Sequence, residues 1–191
     1  MYLLLGYGFS NKQVYKFLKN KRKKIIIYDD YIDNKKPNID FNKIKTIVVS
    51  AGIHYKHPIL IKGKQLNIPI KTDLDILYKY KKKNNIFVGV TGSNGKSTTV
   101  TMISFLLNMW KINHLLCGNI GKSIFTNFYK KMIYVMEISS FQAHYMTHIE
   151  FNIGVIINIS SNHDEWHEGK GSYIKAKEKL LEFSHISLSP Q

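Results

Sequence analysis

The chain has 191 residues, 44% of them hydrophobic and 21% charged, a globular balance with room for one large domain or two small ones. Its single cysteine, Cys117, excludes a disulfide scaffold, and its longest apolar run, Ile153–Ile159, contains Asn158 and falls far short of the ~20 residues of a membrane span. Lys plus Arg is 28 against 13 for Asp plus Glu, a net charge of +15, but Arg22 is the sole arginine, and arginine is the side chain that reads guanine with a two-pronged grip. The excess is therefore read first as a solvated lysine surface, with phosphate-ligand steering and nucleic-acid binding behind it, in a reduced cytoplasmic setting.

Tyr2–Leu5 reads as a short strand that meets Gly6-Tyr7-Gly8-Phe9-Ser10-Asn11. Apolar Val14, Phe17 and Leu18 then share one helix face, and Lys24–Tyr28 is a second strand closed by Asp29-Asp30. After a polar loop through Pro37, Lys45–Ser50 is a third strand, followed by Ala51-Gly52-Ile53. Ile68-Pro69-Ile70 fits a short edge strand, because proline cannot donate within a ladder. The basic run Lys79–Lys83 separates two halves, with the boundary near Lys82, giving domains over 1–82 and 83–191.

The second half opens with the strand Ile86–Val90, which runs into Thr91-Gly92-Ser93-Asn94-Gly95-Lys96-Ser97-Thr98. A helix follows with apolar Val100, Met102, Ile103, Phe105, Leu106 and Leu107. Strands are expected at His114–Cys117, Met132–Glu137 and Asn152–Asn158, and a helix over Ser172–Phe183 is expected to close the chain. Strands separated by helices predict an α/β protein with parallel sheets and right-handed crossovers.

The strand–loop–helix around Lys96 carries the clearest chemistry. Gly92 and Gly95 let the backbone curl so that N–H groups face phosphate oxygens, and the helix start adds partial positive charge. Lys96 supplies a point charge for β- and γ-phosphates, and Ser97 a hydroxyl for Mg²⁺. The strict phosphate-loop pattern wants glycine six residues before the lysine, where this chain has Val90, so the match is to a shorter form. Glu137 ends an apolar strand; at the carboxyl end of a parallel strand beside such a loop, a carboxylate is the expected magnesium ligand.

Other signals stay open on the residues alone. Gly6-Tyr7-Gly8 fits a nucleotide-type turn or a plain tight turn, since Asn11 stands where a dinucleotide fingerprint has its third glycine. Asp29 sits where an acidic residue often meets a ribose. The stretch Asn158–His167 gathers polar ligand types without a zinc spacing. From composition, Lys175 and Lys177 read as a solvated helix face.

Together these segments resemble the Mur ligases, the ATP-dependent amide ligases of peptidoglycan precursor synthesis. The resemblance rests on Gly6-Tyr7-Gly8, Thr91–Thr98, Gly118-Asn119-Ile120-Gly121, Glu137–Gln142, and Asn158–His163 followed by Tyr173–Lys177, in that order. The Glu137-Ile138-Ser139-Ser140-Phe141-Gln142 segment points to the D-glutamate-adding branch. The resemblance implies a Rossmann-like UDP-binding domain followed by part of a phosphate-loop ATPase domain. It implies ATP held by Gly92, Ser93, Asn94, Gly95, Lys96, Ser97 and Thr98, and catalysis by Lys96, Glu137, His163 and Lys177. One Mg²⁺ would sit on Ser97 and Glu137, and a second on Glu137, His163 and a carbamylated Lys177, the lysine four residues after Tyr173.

The substrate implied is UDP-N-acetylmuramoyl-L-alanine, held by Gly8, Phe9, Ser10, Asp29, Gly52, Asn119, Ser139, Gln142 and His163. Its carboxylate would take the γ-phosphate of ATP to give an acyl phosphate, and the amine of D-glutamate would displace phosphate. A cytoplasmic monomer with no nucleic-acid or membrane partner is implied. Ala51 in place of proline, Asp30-Tyr31 in place of Thr and Arg, and Asn162 in place of aspartate depart from the family pattern. Family members also carry more sequence than this chain does after Gln191, so the chain alone would lack the remainder of the central domain and a third domain. The second reading is a non-catalytic, nucleotide-binding remnant of such a ligase, and the third a phosphate-loop kinase or a nucleic-acid-binding ATPase.

Overall fold

The computed structural model describes residues 1–32, 37–126, 131–160 and 164–190, apart from the side chains of residues 164 and 165. The chain divides into two compact units. The first comprises Met1–Leu77 with Tyr145–Thr147, and the second Tyr78–His144 with His148–Gln191.

In the first unit, β1 (Tyr2–Leu5), β2 (Ile25–Tyr28), β3 (Thr46–Val49) and β4 (Ile70–Lys71) form a parallel sheet in the order β2-β1-β3-β4. Helices α1 (Phe9–Asn20), α2 (Pro58–Gln65) and α3 (Asp73–Tyr80) connect or follow the strands. Leu3, Leu4, Leu5 and Val48 are fully buried, the continuous apolar run expected of strands covered on both faces. Helix α1 presents buried Val14, Phe17 and Leu18; burying each such side chain contributes about 1.5–3 kcal/mol. Pro69 precedes edge strand β4 and uses only its carbonyl, which accepts from Ile47 N at 3.0 Å. Helix α2 was not foreseen; it starts at Pro58, whose missing N–H costs nothing there, and His57 Nδ1 accepts from Ile59 N at 3.2 Å.

The second unit holds β5 (Ile86–Thr91), β6 (His114–Gly118), β7 (Ile133–Glu137), β8 (Phe151–Ile156) and β9 (Ser184–Leu188), all parallel in the order β6-β7-β5-β8-β9. Helices α4 (Lys96–Met109), α5 (Ser140–Tyr145), α6 (Asp164–His167) and α7 (Lys170–Glu182) complete the described elements. Val88, Val90, Val100 and Val135 form a core cluster on which Ile103 and Leu107 pack. Strand β5 is central, so its carboxyl end at Thr91 lies between those of β7 and β8, in the position where open parallel sheets place ligands.

One expectation changes. Helix α7 does not close the chain: Ser184–Leu188 pairs with β8 as a further parallel strand, seated where Phe151 N donates to Phe183 O at 2.7 Å. The alternation Ser184-His185-Ile186-Ser187-Leu188 carries that strand. Helix α4 carries apolar side chains over most of its girth, with Thr101, Ser104 and Asn108 on the remaining side, yet of its residues only Val100 is fully buried. The sheet covers one side of it, and Met102, Phe105, Met109 and the adjoining Trp110 stay 61–65% exposed.

Candidate functional site

The loop from Gly92 to Gly95 is shaped from behind by β8. Asn158, just past that strand, accepts through Oδ1 from the backbone N–H groups of Ser93 and Asn94 at 3.1 and 3.0 Å and donates to Asn94 O at 3.1 Å. Ser93 turns its hydroxyl inward, within 2.9 Å of the Tyr173 hydroxyl, and receives Ser160 N at 2.8 Å. Gly95 has φ +79°, a left-handed conformation that a side chain disfavours, and it caps α4. The first turn of α4 therefore begins with free N–H groups beside Lys96, Ser97 and Thr98. Lys96 folds back over the loop and donates from Nζ to Gly92 O and Ser93 O at 2.9 and 3.0 Å.

Glu137 ends β7 and is buried. Its Oε2 accepts the Ser97 hydroxyl at 2.7 Å and its Oε1 accepts Asn119 Nδ2 at 2.9 Å. Asn119 is placed by its own backbone, whose N–H donates to Glu137 O at 2.9 Å. Both donors to the Glu137 side chain are neutral groups.

Lys177 corrects the composition reading. Lys175 is exposed, but Lys177 is only 1% exposed, and its Nζ donates to Gly92 O at 2.8 Å. The ammonium also lies 4.6 Å from the centre of the Tyr173 ring. Burial, with Lys96 nearby, pulls its pKa down to about 8. A pocket of about 140 Å³ brings Lys177 together with Lys96, Asn119, Ser139, Phe141 and Tyr173.

Ser139 and Gln142 engage each other. Ser139 N donates to Gln142 Oε1 at 3.1 Å and Gln142 N donates to Ser139 Oγ at 3.2 Å, a reciprocal cap on α5. The Ser-x-x-Gln spacing was the signal for that cap. Ser139 still lines the pocket, whereas Gln142 is buried with its carbonyl oxygen committed. His163 lies outside the described residues. Among the described residues, no group of three or more His, Cys, Asp or Glu side chains is placed to hold a metal ion.

In the first unit, the turns after β1, β2 and β3 lie side by side at the carboxyl ends of their strands. Gly8 caps α1 in an extended conformation, Phe9 is 61% exposed, and Gly52 is exposed in the third turn. The Ser10 hydroxyl donates to buried Asp73, whose pKa burial pushes up to about 6. Asp29 joins two of the turns: Oδ2 accepts Tyr7 N at 2.6 Å, and Oδ1 accepts Tyr31 N at 2.9 Å. Those N–H groups, Tyr7 foremost, hold the Asp29 carboxyl below the usual range. Asn11 is fully buried, and its Nδ2 donates to the carbonyls of Leu5, Gly6 and Val48 at 3.0, 2.7 and 3.1 Å. It closes the Gly6–Gly8 turn by hydrogen bonds where the dinucleotide fingerprint uses a glycine.

Fold and loop define a parallel α/β protein with a short phosphate-loop-type turn in its second unit. The family model described as the Mur ligase middle domain matches residues 90–188, and the chain belongs to the Mur ligase family. It is 35% identical to a UDP-N-acetylmuramoylalanine–D-glutamate ligase of Rickettsia conorii, covering 94% of this chain and 38% of that protein. It is 36% identical to the ligase of the same name from Thermosipho africanus, covering 94% and 47%. The chain thus spans less than half the length of these curated relatives. Among solved structures, it is similar to a UDP-N-acetylmuramate–alanine ligase of Thermotoga maritima, with a TM-score of 0.52 and 17% identity over 98% of this chain and 48% of that one. It is also similar to a UDP-N-acetylmuramate:L-alanyl-γ-D-glutamyl-meso-diaminopimelate ligase of Neisseria meningitides, with a TM-score of 0.56 and 12% identity over 96% and 68%. At these identities the structural likeness bears on the fold alone.

Proposed function

We propose that this chain carries the UDP-substrate and phosphate-loop units of an ATP-dependent ligase that adds D-glutamate to UDP-N-acetylmuramoyl-L-alanine. The observation that carries the reading is the joining of α4 to β7 through Ser97 and Glu137, 2.7 Å apart, at the mouth of a loop flanked by Lys96 and Lys177. A hydroxyl in the first turn of a helix and a buried carboxylate at a strand end are the hard oxygen donors that Mg²⁺ takes alongside phosphate oxygens. When bound, Mg²⁺ offsets charge on the transferring phosphoryl group.

The residues of the chain divide the remaining work. Backbone N–H groups at the start of α4 orient the triphosphate, and Lys96 swings from its own loop carbonyls onto phosphate oxygens, exchanging neutral acceptors for charged ones. Asn119 steadies Glu137 from the other side. Lys177, with its pKa lowered to about 8, holds enough neutral amine near neutral pH to take up carbon dioxide as a carbamate. That modification turns a cation into an anion suited to a second Mg²⁺, together with Glu137 and His163. Gly8, Phe9, Ser10, Asp29 and Gly52 are assigned to the uridine diphosphate part of the substrate.

The test supplies the remaining length of a relative in trans, with ATP, Mg²⁺ and UDP-N-acetylmuramoyl-L-alanine. ADP and an acyl phosphate trapped by hydroxylamine are expected. Nucleotide binding without any ADP formation would overturn the catalytic reading in favour of a binding remnant.

A further inference from the structure

The chain returns to the first unit at Tyr145–Thr147, and this short strap is fastened there by three hydrogen bonds. The buried Tyr145 donates its phenol proton to Ile53 O at 2.7 Å. Thr147 N donates to Asp75 Oδ1 at 3.1 Å, and Lys71 Nζ donates to Thr147 Oγ1 at 3.0 Å. Between them Met146 is fully buried. Asp75 is itself fixed, since its Oδ2 accepts from Thr72 N and the Thr72 hydroxyl at 2.8 and 2.9 Å.

Ile53 closes the turn that follows β3. Ser50 N donates to Leu5 O at 2.9 Å and Ile53 N donates to Ser50 O at 3.0 Å, so the Ile53 carbonyl is the turn's remaining handle. The turn also presses on the loop after β1. Gly6 has φ +76°, and a Cβ there would meet Ser50 Cβ at 3.0 Å and the Ile53 side chain at 3.1 Å. A displacement of Ile53 would therefore reach the backbone at Gly6. A buried phenol needs an acceptor, and here the acceptor is the carbonyl that orients this turn.

We propose that Tyr145 is a positioning residue for the uridine nucleotide: by holding the Ile53 carbonyl it keeps the Ser50–Ile53 turn in its ligand-receiving shape. This inference rests on the assignment of the first unit's turns to the uridine diphosphate moiety. It adds to that assignment a residue 92 positions further along the chain, one that acts through the Ile53 carbonyl.

The experiment compares wild type with Tyr145→Phe, which keeps the ring and removes the hydroxyl. Uridine 5′-diphosphate is titrated by calorimetry, and backbone amide exchange at residues 50–53 is followed in the unliganded proteins. Loss of one neutral hydrogen bond predicts about five-fold weaker binding and faster exchange at Ile53, with exchange in the strand β1 unchanged. Equal affinities, or faster exchange spread through β1, would overturn the positioning role. If the wild type binds no uridine diphosphate, the assignment of the turns fails, and the exchange comparison alone then separates that failure from a failure of the Tyr145–Ile53 hold.

Discussion

Ser97 and Glu137 come from different elements, the first turn of α4 and the end of β7, yet the serine hydroxyl reaches the glutamate carboxylate at 2.7 Å. Together they would hold a divalent cation, which would replace that contact with two oxygen ligands. Glu137→Gln keeps the size of the side chain and an oxygen to accept from Asn119, turns the other acceptor into an amide donor that the Ser97 hydroxyl can receive, and removes the charge. Its expected effect is about 10- to 100-fold weaker binding of ADP in the presence of Mg²⁺. Binding of ADP with the metal chelated should change by no more than about three-fold. Calorimetry under both conditions checks this, and equal losses with and without Mg²⁺ would remove Glu137 from the metal site.

Lys177 makes a pH-dependent prediction. Its folded pKa, about 8, lies below the ordinary 10.5, so the unfolded chain binds more protons between those values. Stability is therefore lowest, with respect to this group, below about pH 8 and rises as pH climbs from about 8 towards 10.5. Lys177→Met should lose that rise, as read by urea unfolding at several pH values. The same lowered pKa predicts a carbamate signal with isotope-labelled bicarbonate that grows between about pH 7 and 9 and is missing in Lys177→Met. A signal that persists in the variant would place the carbamate elsewhere.

The outline of both sheets and the loop around Lys96 were legible in the sequence because each rests on local pattern: apolar runs for covered parallel strands, and glycine spacing for the loop. Glu137 was legible because its strand is apolar up to that residue. Lys177 was not legible from composition, since burial of a lysine depends on what the rest of the fold places over it; only the resemblance singled it out. The Asn158 brace behind the loop joins positions 64 residues apart, a pairing that no local spacing encodes. Asn11 shows the opposite failure. It looked like a departure from a glycine rule, whereas its amide closes the same turn by other means.

Asp73 should cost the fold stability at neutral pH. Burial pushes its pKa up from 3.8 to about 6, so the folded state holds its proton over a range where the unfolded state has released it. Stability falls as pH rises from about 4 to about 6, and the full cost, on the order of 2–3 kcal/mol, persists above that window. Asp73→Asn keeps an oxygen to accept from Leu74 N, which lies 3.0 Å from the carboxylate in the wild type. The variant should be more stable by about 1–3 kcal/mol near pH 7.5 and close to wild type below about pH 4. Urea unfolding at the two pH values decides it; a destabilised variant at pH 7.5 would mean that the ionised carboxylate is worth more to its neighbours than its burial costs.

The last prediction concerns the outer face of α4. Met102, Phe105 and Met109 lie at spacings of three and four residues, and Trp110 follows the helix, so their exposed side chains form one apolar stripe. The sheet cannot cover them, because Val100, Ile103 and Leu107 already occupy the face that packs against it. A contiguous apolar stripe in water favours association of the free chain as its concentration rises. Phe105→Glu combined with Trp110→Lys should reduce that association by at least about ten-fold in sedimentation measurements. Because both side chains are more than 60% exposed, stability should move by less than about 1 kcal/mol. A double variant that unfolds instead would mean that the stripe is already packed against protein in the folded chain.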